Sequence, residues 1–487
     1  MKIDTQSETQ AGVHGNAEAH QPATSGMAAG AAASASSMSA TAHAGFDWHP
    51  HFIALVDAIE ASRLQGETTL CSLAAEQSEF IRFNAAQVRQ IGTVSQGRLT
   101  VRLIAGARHA YSTLTLSGDR QADLAEVDEA VKVLRSALQD SHDDPHLLFD
   151  TTTWAQSLRR HGQLPDPAHL VATVTARAHG LDFVGFYAGG TIVRGFASST
   201  GSRGWHQTDT FNFSWSLYDP SGRAIKTTYA GDQWSDAVFA GKLADAAARL
   251  PVLKLAPRAL APGRYRAYLS PQALDELLSV LNWTGGFSAR QQATSSSTLY
   301  KLHTGERQLD PRVHLTEDLA LGVAAGFNDD GYVRRNVTLV DAGRSVEQLT
   351  SARTAREYGL STNGATSDEA PSSLSMRGGD LPDSEILAAI GTGLYIGNLW
   401  YVNVSDPMNA RLTGMTRFAT FWVEDGKIVA PIEAMRFDDS IYRILGDELE
   451  RLTQAPELVL NDASYGERGT GGHKLPGLLL RGFALTL

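Results

Sequence analysis

Zinc hydrolysis needs two imidazoles on one helical face with a carboxylate beside them, so a histidine followed directly by glutamate is the informative pattern. None of the 15 histidines in the 487-residue chain is followed by Glu, and neither HExxH nor HExxxH occurs. The densest alternative is His142-Asp143-Asp144-Pro145-His146. Its histidines are four apart, but Pro145 breaks the helix that would align them, so the segment reads as a solvated linker rather than a metal site. His49 and His51, on either side of Pro50, also read as solvated. There is no GxSxG elbow and no GxxxxGKS/T loop. Gly391, Gly393 and Gly397 follow a short helical run, whereas a dinucleotide loop precedes its helix. They read as a helix stop and a strand start. The pairs Asp329-Asp330 and Asp438-Asp439 could do acid-base work, but a turn accounts for the first and a helix N-terminus for the second. The residues by themselves offer no catalytic constellation.

Composition narrows the classes further. Net charge is 42 − 53 = −11, which argues against a polyphosphate surface and hence against nucleic-acid binding. No run is long enough to span a bilayer. Cys71 is the only cysteine, so an intrachain disulfide and a multi-cysteine metal site are both excluded, in keeping with a reducing cytoplasm. Residues 1–45 are rich in Ala, Ser, Gly, His and Thr with Lys2 as the one basic residue. They lack the apolar stretch of an export signal and read as a disordered tail.

The elements that must position any site begin near Phe46. Phe52, Leu55, Val56 and Ile59 form a helical stripe within His51–Arg63. Four strands are expected at Glu79–Asn84, Gln87–Val94, Arg98–Ile104 and His109–Leu116, with turns at Asn84-Ala85, Gln96-Gly97 and Ala105-Gly106. Leu124, Val127, Val131, Leu134 and Leu138 then mark a helix with one buried face. After a linker at Ser141–Pro145, Pro165–His179 reads as a helix and Leu181–Ala197 as a strand. In Thr208–Tyr218, Phe211, Phe213, Trp215 and Leu217 alternate with polar or small residues, the mark of a half-buried strand. Asp232–Leu250 is an alanine-rich helix. Three prolines at Pro251–Pro262 suggest a boundary between an α+β domain at 46–250 and a β-rich domain at 251–487. In the latter, Ser270 caps a helix to Asn282 with Pro271 in its first turn. Asn328–Gly331 is a polar turn between strands at Leu321–Phe327 and Tyr332–Val340. Glu424-Asp425-Gly426 joins a hairpin. Ser361–Asp383 reads as a long loop and Asp438–Leu452 as a final helix.

Three ordered stretches resemble the TldD/PmbA family of metallopeptidases. The first is the unit Glu79–Leu138. The second runs from Ala325-Gly326-Phe327-Asn328-Asp329-Asp330-Gly331 through Thr338–Gly343 and Leu349-Thr350-Ser351 to Ser361-Thr362-Asn363-Gly364. The third comprises Gly393-Leu394-Tyr395, Asn409–Arg417, Ala419–Ile428 and Pro431-Ile432. Most of Phe46–Leu487 is covered, with Asp140–Tyr229 weakly matched in part.

The resemblance implies a barrel-like, β-rich C-terminal body and a peptide-holding cleft formed with a partner subunit. In the family's TldD branch, HExxxH and a late cysteine hold zinc. The helix in that position here is similar to Leu277–Trp283, with no His and no Glu after Glu276, and no cysteine stands near Asp462–Ser464. The chain is therefore placed in the PmbA/TldE branch. The resemblance implies a non-catalytic subunit with no catalytic or metal-ligating residues of its own, zinc residing in a TldD-like partner. A stand-alone homodimer that binds or assembles around peptide is the alternative. A third reading, a hydrolase built around the long loop, would use Asp329, Asp330 and Arg377. Arg377 lies where the family carries a basic residue before its terminal segment, which gives it a contact to a peptide carboxylate or to the partner.

Overall fold

The computed structural model describes residues 46–418 and 420–486. The reading of residues 1–45 as a disordered tail falls outside them. Asp47 caps α1 (Trp48–Ala61) by accepting a hydrogen bond from the His49 amide. Three long strands follow: β1 (Glu67–Asn84), β2 (Gln87–Ala105) and β3 (Arg108–Leu116). After α2 (Arg120–Asp140) come β4 (Ala155–Arg160), α3 (Pro167–Arg177), β5 (Asp182–Ser198), β6 (Arg203–Tyr218), β7 (Ala224–Gly231) and α4 (Asp236–Leu253). The strands make one seven-stranded sheet in the order β3-β2-β1-β5-β6-β4, with β7 also on β6.

Period-two alternation divides this sheet into two chemically distinct faces. At 71, 73, 75, 81 and 83 of β1 and at 211, 213, 215 and 217 of β6 the odd-numbered residues are buried under helices. α1 and α2 cover Cys71, Leu73 and Ala75, while α3 and α4 cover Phe83, Phe211, Phe213 and Trp215. The even-numbered residues Asn212, Ser214 and Ser216 turn the other way and stay half-buried. Burial pushes the Cys71 thiol up to about 12, so it packs as an apolar group.

The four expected strands of the opening meander are three, because Gln96-Gly97 is not a turn. Gly97 pairs with Ala75 on one side and Leu116 on the other. It is glycine because a Cβ there would lie 2.5 Å from the buried Trp48 ring. Gly97→Ala is expected to destabilise by about 1–3 kcal/mol through overpacking, read as a lower thermal midpoint. An unchanged midpoint would show that α1 does not seat on β2 as described. His51 is also not solvated: it is 4% exposed and bonds Asp123 at 2.7 Å, with Phe46 and Trp48 against its ring. His49 is half-buried beside Trp205.

The second half holds β8 (Gly263–Leu269) and α5 (Pro271–Trp283). β8 is central to a nine-stranded sheet that curls into a half-barrel. A six-stranded sheet lies alongside, and its strand Ser373–Met376 falls inside the expected long loop. Leu374 and Met376 are buried there, a strand too short to announce itself between polar neighbours. The expected helix at Asp438–Leu452 is instead a strand, Arg436–Ser440, a π-helical turn at Arg443–Asp447, and another strand, Leu449–Leu452. Ile441, Leu445, Leu449 and Leu452 mimic helical spacing, but Gly446 takes non-helical angles and ends the turn. Asp438 and Asp439 accordingly serve no helix N-terminus; they pair with Arg411 and Arg443. The flanks of Asn328–Gly331 are also less regular than expected: a single Phe327–Val333 bridge and a strand at Val337–Asp341. The mixed α+β class with a β-rich, barrel-like second half agrees with the sequence. No helix of the described residues is long and apolar enough to cross a membrane.

Candidate functional site

α5 is amphipathic in a way that builds a cavity wall. Ser270 caps it, and Leu274, Leu277, Leu278 and Leu281 sink into the core, each worth about 1.5–3 kcal/mol relative to an exposed side chain. The opposite stripe, Gln272, Asp275, Glu276, Ser279 and Asn282, recurs at spacings of three and four and lines a cavity of about 700 Å³. The facing wall is the polar face of the seven-stranded sheet, through Asn212, Lys226 and Thr228. Segments 366–372 and 459–473 close the sides.

The cleft is rich in carboxylates. Asp275 bonds His473 Nδ1 at 2.7 Å. Burial pushes the Glu276 carboxyl up to about 7; Asp275 and Asp462 add to the rise and Lys226 opposes it. A protonated Glu276 can donate a hydrogen bond, and an ionised one can hold a cation.

One side of the cleft is a clasp between distant segments. The 461–471 segment crosses to the seven-stranded sheet, where Arg468 is 5% exposed. Its guanidinium donates to Thr210 O and Oγ1 at 2.8 Å, to Gly190 O at 3.2 Å and to Ser78 Oγ at 3.3 Å. The Arg468 amide donates to the buried Glu76 carboxylate, which also accepts from Ser78 and Gln96. Glu467 pairs with Arg98 and Arg194. Burial lowers the Arg468 guanidinium to about 10, which leaves it charged at neutral pH.

Residues 262–486 match the PmbA/TldA metallopeptidase C-terminal domain. Residues 262–486 therefore carry a domain of the TldD/PmbA family. Its fold is similar to that of TldE from Thermococcus kodakarensis, with a TM-score of 0.70 at 13% identity over 90% of this chain and 100% of that one. A candidate modulator of a DNA gyrase from Thermotoga maritima MSB8 gives 0.68 at 13% identity over 90% and 100%. Another from Bacteroides thetaiotaomicron VPI-5482 gives 0.67 at 16% identity over 90% and 98%. No curated protein matches in sequence.

Zinc, the metal that the resemblance to the TldD branch implies, has no fitting donor set in this cleft. A catalytic zinc takes three protein ligands that converge on one point. Among the described residues no group of three or more His, Cys, Asp or Glu is placed to hold a metal ion. In the cleft itself, Asp275 and His473 are engaged with each other, and Glu276 retains its proton to about pH 7.

Asp329 and Asp330 lie together in a second cavity of about 420 Å³, with Arg102, His109 and Tyr111. Asp330 pairs with Arg102 at 2.6 Å, yet burial raises its carboxyl above the usual range. Thr366 and Ser367 border both this cavity and the main cleft. Arg377 joins neither; its side chain sits 3.4 Å from His314 Nε2. The His142–His146 segment is a loop in which Asp144 pairs with Arg353 at 2.6 Å. Sequence reasoning passed over Asp275, Glu276, Lys226, Arg468 and His473. The polar stripe of α5 and the polar half of the β6 alternation were the signals available for the cleft walls.

Proposed function

We propose that this chain is the non-catalytic, PmbA/TldE-like subunit of a TldD/TldE-type zinc metallopeptidase complex that degrades or processes peptides. It supplies cleft and scaffold, and a TldD-like chain supplies the zinc. The observation that carries this reading is the α5 cleft: a large, polar, peptide-sized cavity between the family's C-terminal domain and the seven-stranded sheet, whose carboxylates do not converge as metal ligands. It accepts an unfolded or extended peptide, whose backbone can bond the half-buried polar wall of Asn212, Lys226 and Thr228. The complex is a cytoplasmic heterodimer without nucleic acid or membrane, in keeping with the acidic chain and the single buried cysteine.

Co-expression with a relative bearing HExxxH tests it. The two chains are expected to co-elute and to cleave an unfolded peptide in a chelator-sensitive manner, with no cleavage by this chain alone. A stable complex with itself that ignores both the relative and chelators would favour a homodimeric peptide-binding or assembly protein. Chelator-sensitive cleavage by this chain alone would overturn the assignment.

A further inference from the structure

A second groove, of about 430 Å³, opens on the same face of the seven-stranded sheet. Its charged lining is Arg82, Arg89 and Lys226, with no carboxylate among the lining residues. None of the three side chains makes an ion pair among the described residues; Arg82 rests over the Phe186 ring at 5.3 Å. Their convergence follows from strand register. Arg82 of β1 pairs with Phe186 of β5, Phe186 with Ser214 of β6, and Ser216 of β6 with Lys226 of β7. The β1–β2 register shifts between Arg82 and Phe83. That bulge leaves Arg89 out of the paired register and brings it into the groove beside Arg82.

Lys226 lines both this groove and the α5 cleft, so the two adjoin at that side chain. The path between them follows Ser216, Ser214 and Asn212. Four strand residues span about 13 Å, which an extended peptide covers with about four residues. The path runs from Arg82 and Arg89, past Lys226 at the junction, to Glu276, Asp275 and Asp462. A free peptide has the matching polarity, with one terminal carboxylate and, upstream, an amine or basic side chains.

We infer that Arg82, Arg89 and Lys226 form a carboxylate subsite that anchors the free C-terminus of a bound peptide and fixes its direction along the cleft. The guanidinium fork fits a carboxylate in two-point geometry, and Ser214 and Ser216 offer hydroxyl donors beside it. This rests on the cleft being a peptide site.

The test compares a fluorescent, unstructured hexapeptide with a free C-terminus against the same peptide amidated, titrated onto the full chain with its partner. The free acid is expected to bind on the order of 10-fold more tightly, the loss typical of one charged hydrogen-bonding contact. Arg82→Gln/Arg89→Gln is expected to abolish that preference while leaving binding of the amide unchanged. Arg89→Gln alone, at an exposed position, should reduce it and guards against misfolding of the double variant. Equal binding of acid and amide, or a preference that survives the double variant, overturns the subsite while leaving the peptide cleft intact. Failure of either peptide to bind overturns both. An amidated phosphoserine peptide that binds more tightly than the free acid would reassign the groove to phosphate.

Discussion

Arg468→Ala is expected to lower the unfolding free energy by about 3–5 kcal/mol, the usual consequence of removing one member of a buried charged network. Arg468 joins the 461–471 segment to the sheet through four acceptor atoms, on Ser78, Gly190 and Thr210, beside the Glu467 pairs to Arg98 and Arg194. Alanine leaves those buried acceptors without donors and takes the counter-charge from Glu76, which is 2% exposed. The loss is local in its functional effect, because the same segment forms one side of the cleft. The variant is therefore expected both to melt earlier and to be nicked by chymotrypsin after the exposed Tyr465. Arg468→Lys should fall between the two, keeping charge but losing the planar fork. A variant that melts early with no new cleavage there would mean that the clasp stabilises the fold without shaping the cleft.

Glu276→Gln is expected to act in the opposite direction and only above a certain pH. The folded carboxyl holds its proton up to about pH 7, whereas an unfolded glutamate releases it near 4.5. Between those values the unfolded chain has lost a proton that the folded chain keeps. Wild-type stability from this site is thus complete below about pH 4.5 and falls as pH rises to 7. Glutamine has nothing to ionise. It should match wild type at pH 4 and exceed it at pH 8 by about 1–3 kcal/mol, after discounting for the part of the side chain that water reaches. Thermal midpoints at the two pH values measure the difference. A variant less stable than wild type at pH 8 would show that the ionised carboxylate is held by favourable partners.

Much of the cleft was legible in the sequence as secondary structure and little of it as a site. The alternation of Phe211, Phe213, Trp215 and Leu217 located β6 and its buried face, and the same alternation placed Asn212 on the cleft wall and Ser214 and Ser216 on the neighbouring groove. The Ser270 cap and the first-turn Pro271 located α5, whose polar stripe points at the cavity. What sequence could not carry was pairing over distance. Arg468 finds partners 258 to 392 positions away, and nothing local distinguishes it from a solvated arginine. His51 read as solvated because its partner, Asp123, is 72 residues on. Gly97 looked like a turn because the Trp48 ring that requires it lies on a different element. In 438–452, apolar spacing matched a helix, while the sheet edge offered by Arg411–Thr416 claimed the first residues as a strand. Local propensity yields there to tertiary pairing.

The central claim, that this chain shapes the cleft but does not hold the zinc, is tested most directly by metal content. The purified chain, incubated with excess zinc at neutral pH, freed of unbound metal and analysed by atomic emission, is predicted to carry far less than one zinc per chain. One zinc per chain, lost on substitution of Asp275, Glu276 or His473, would contradict it.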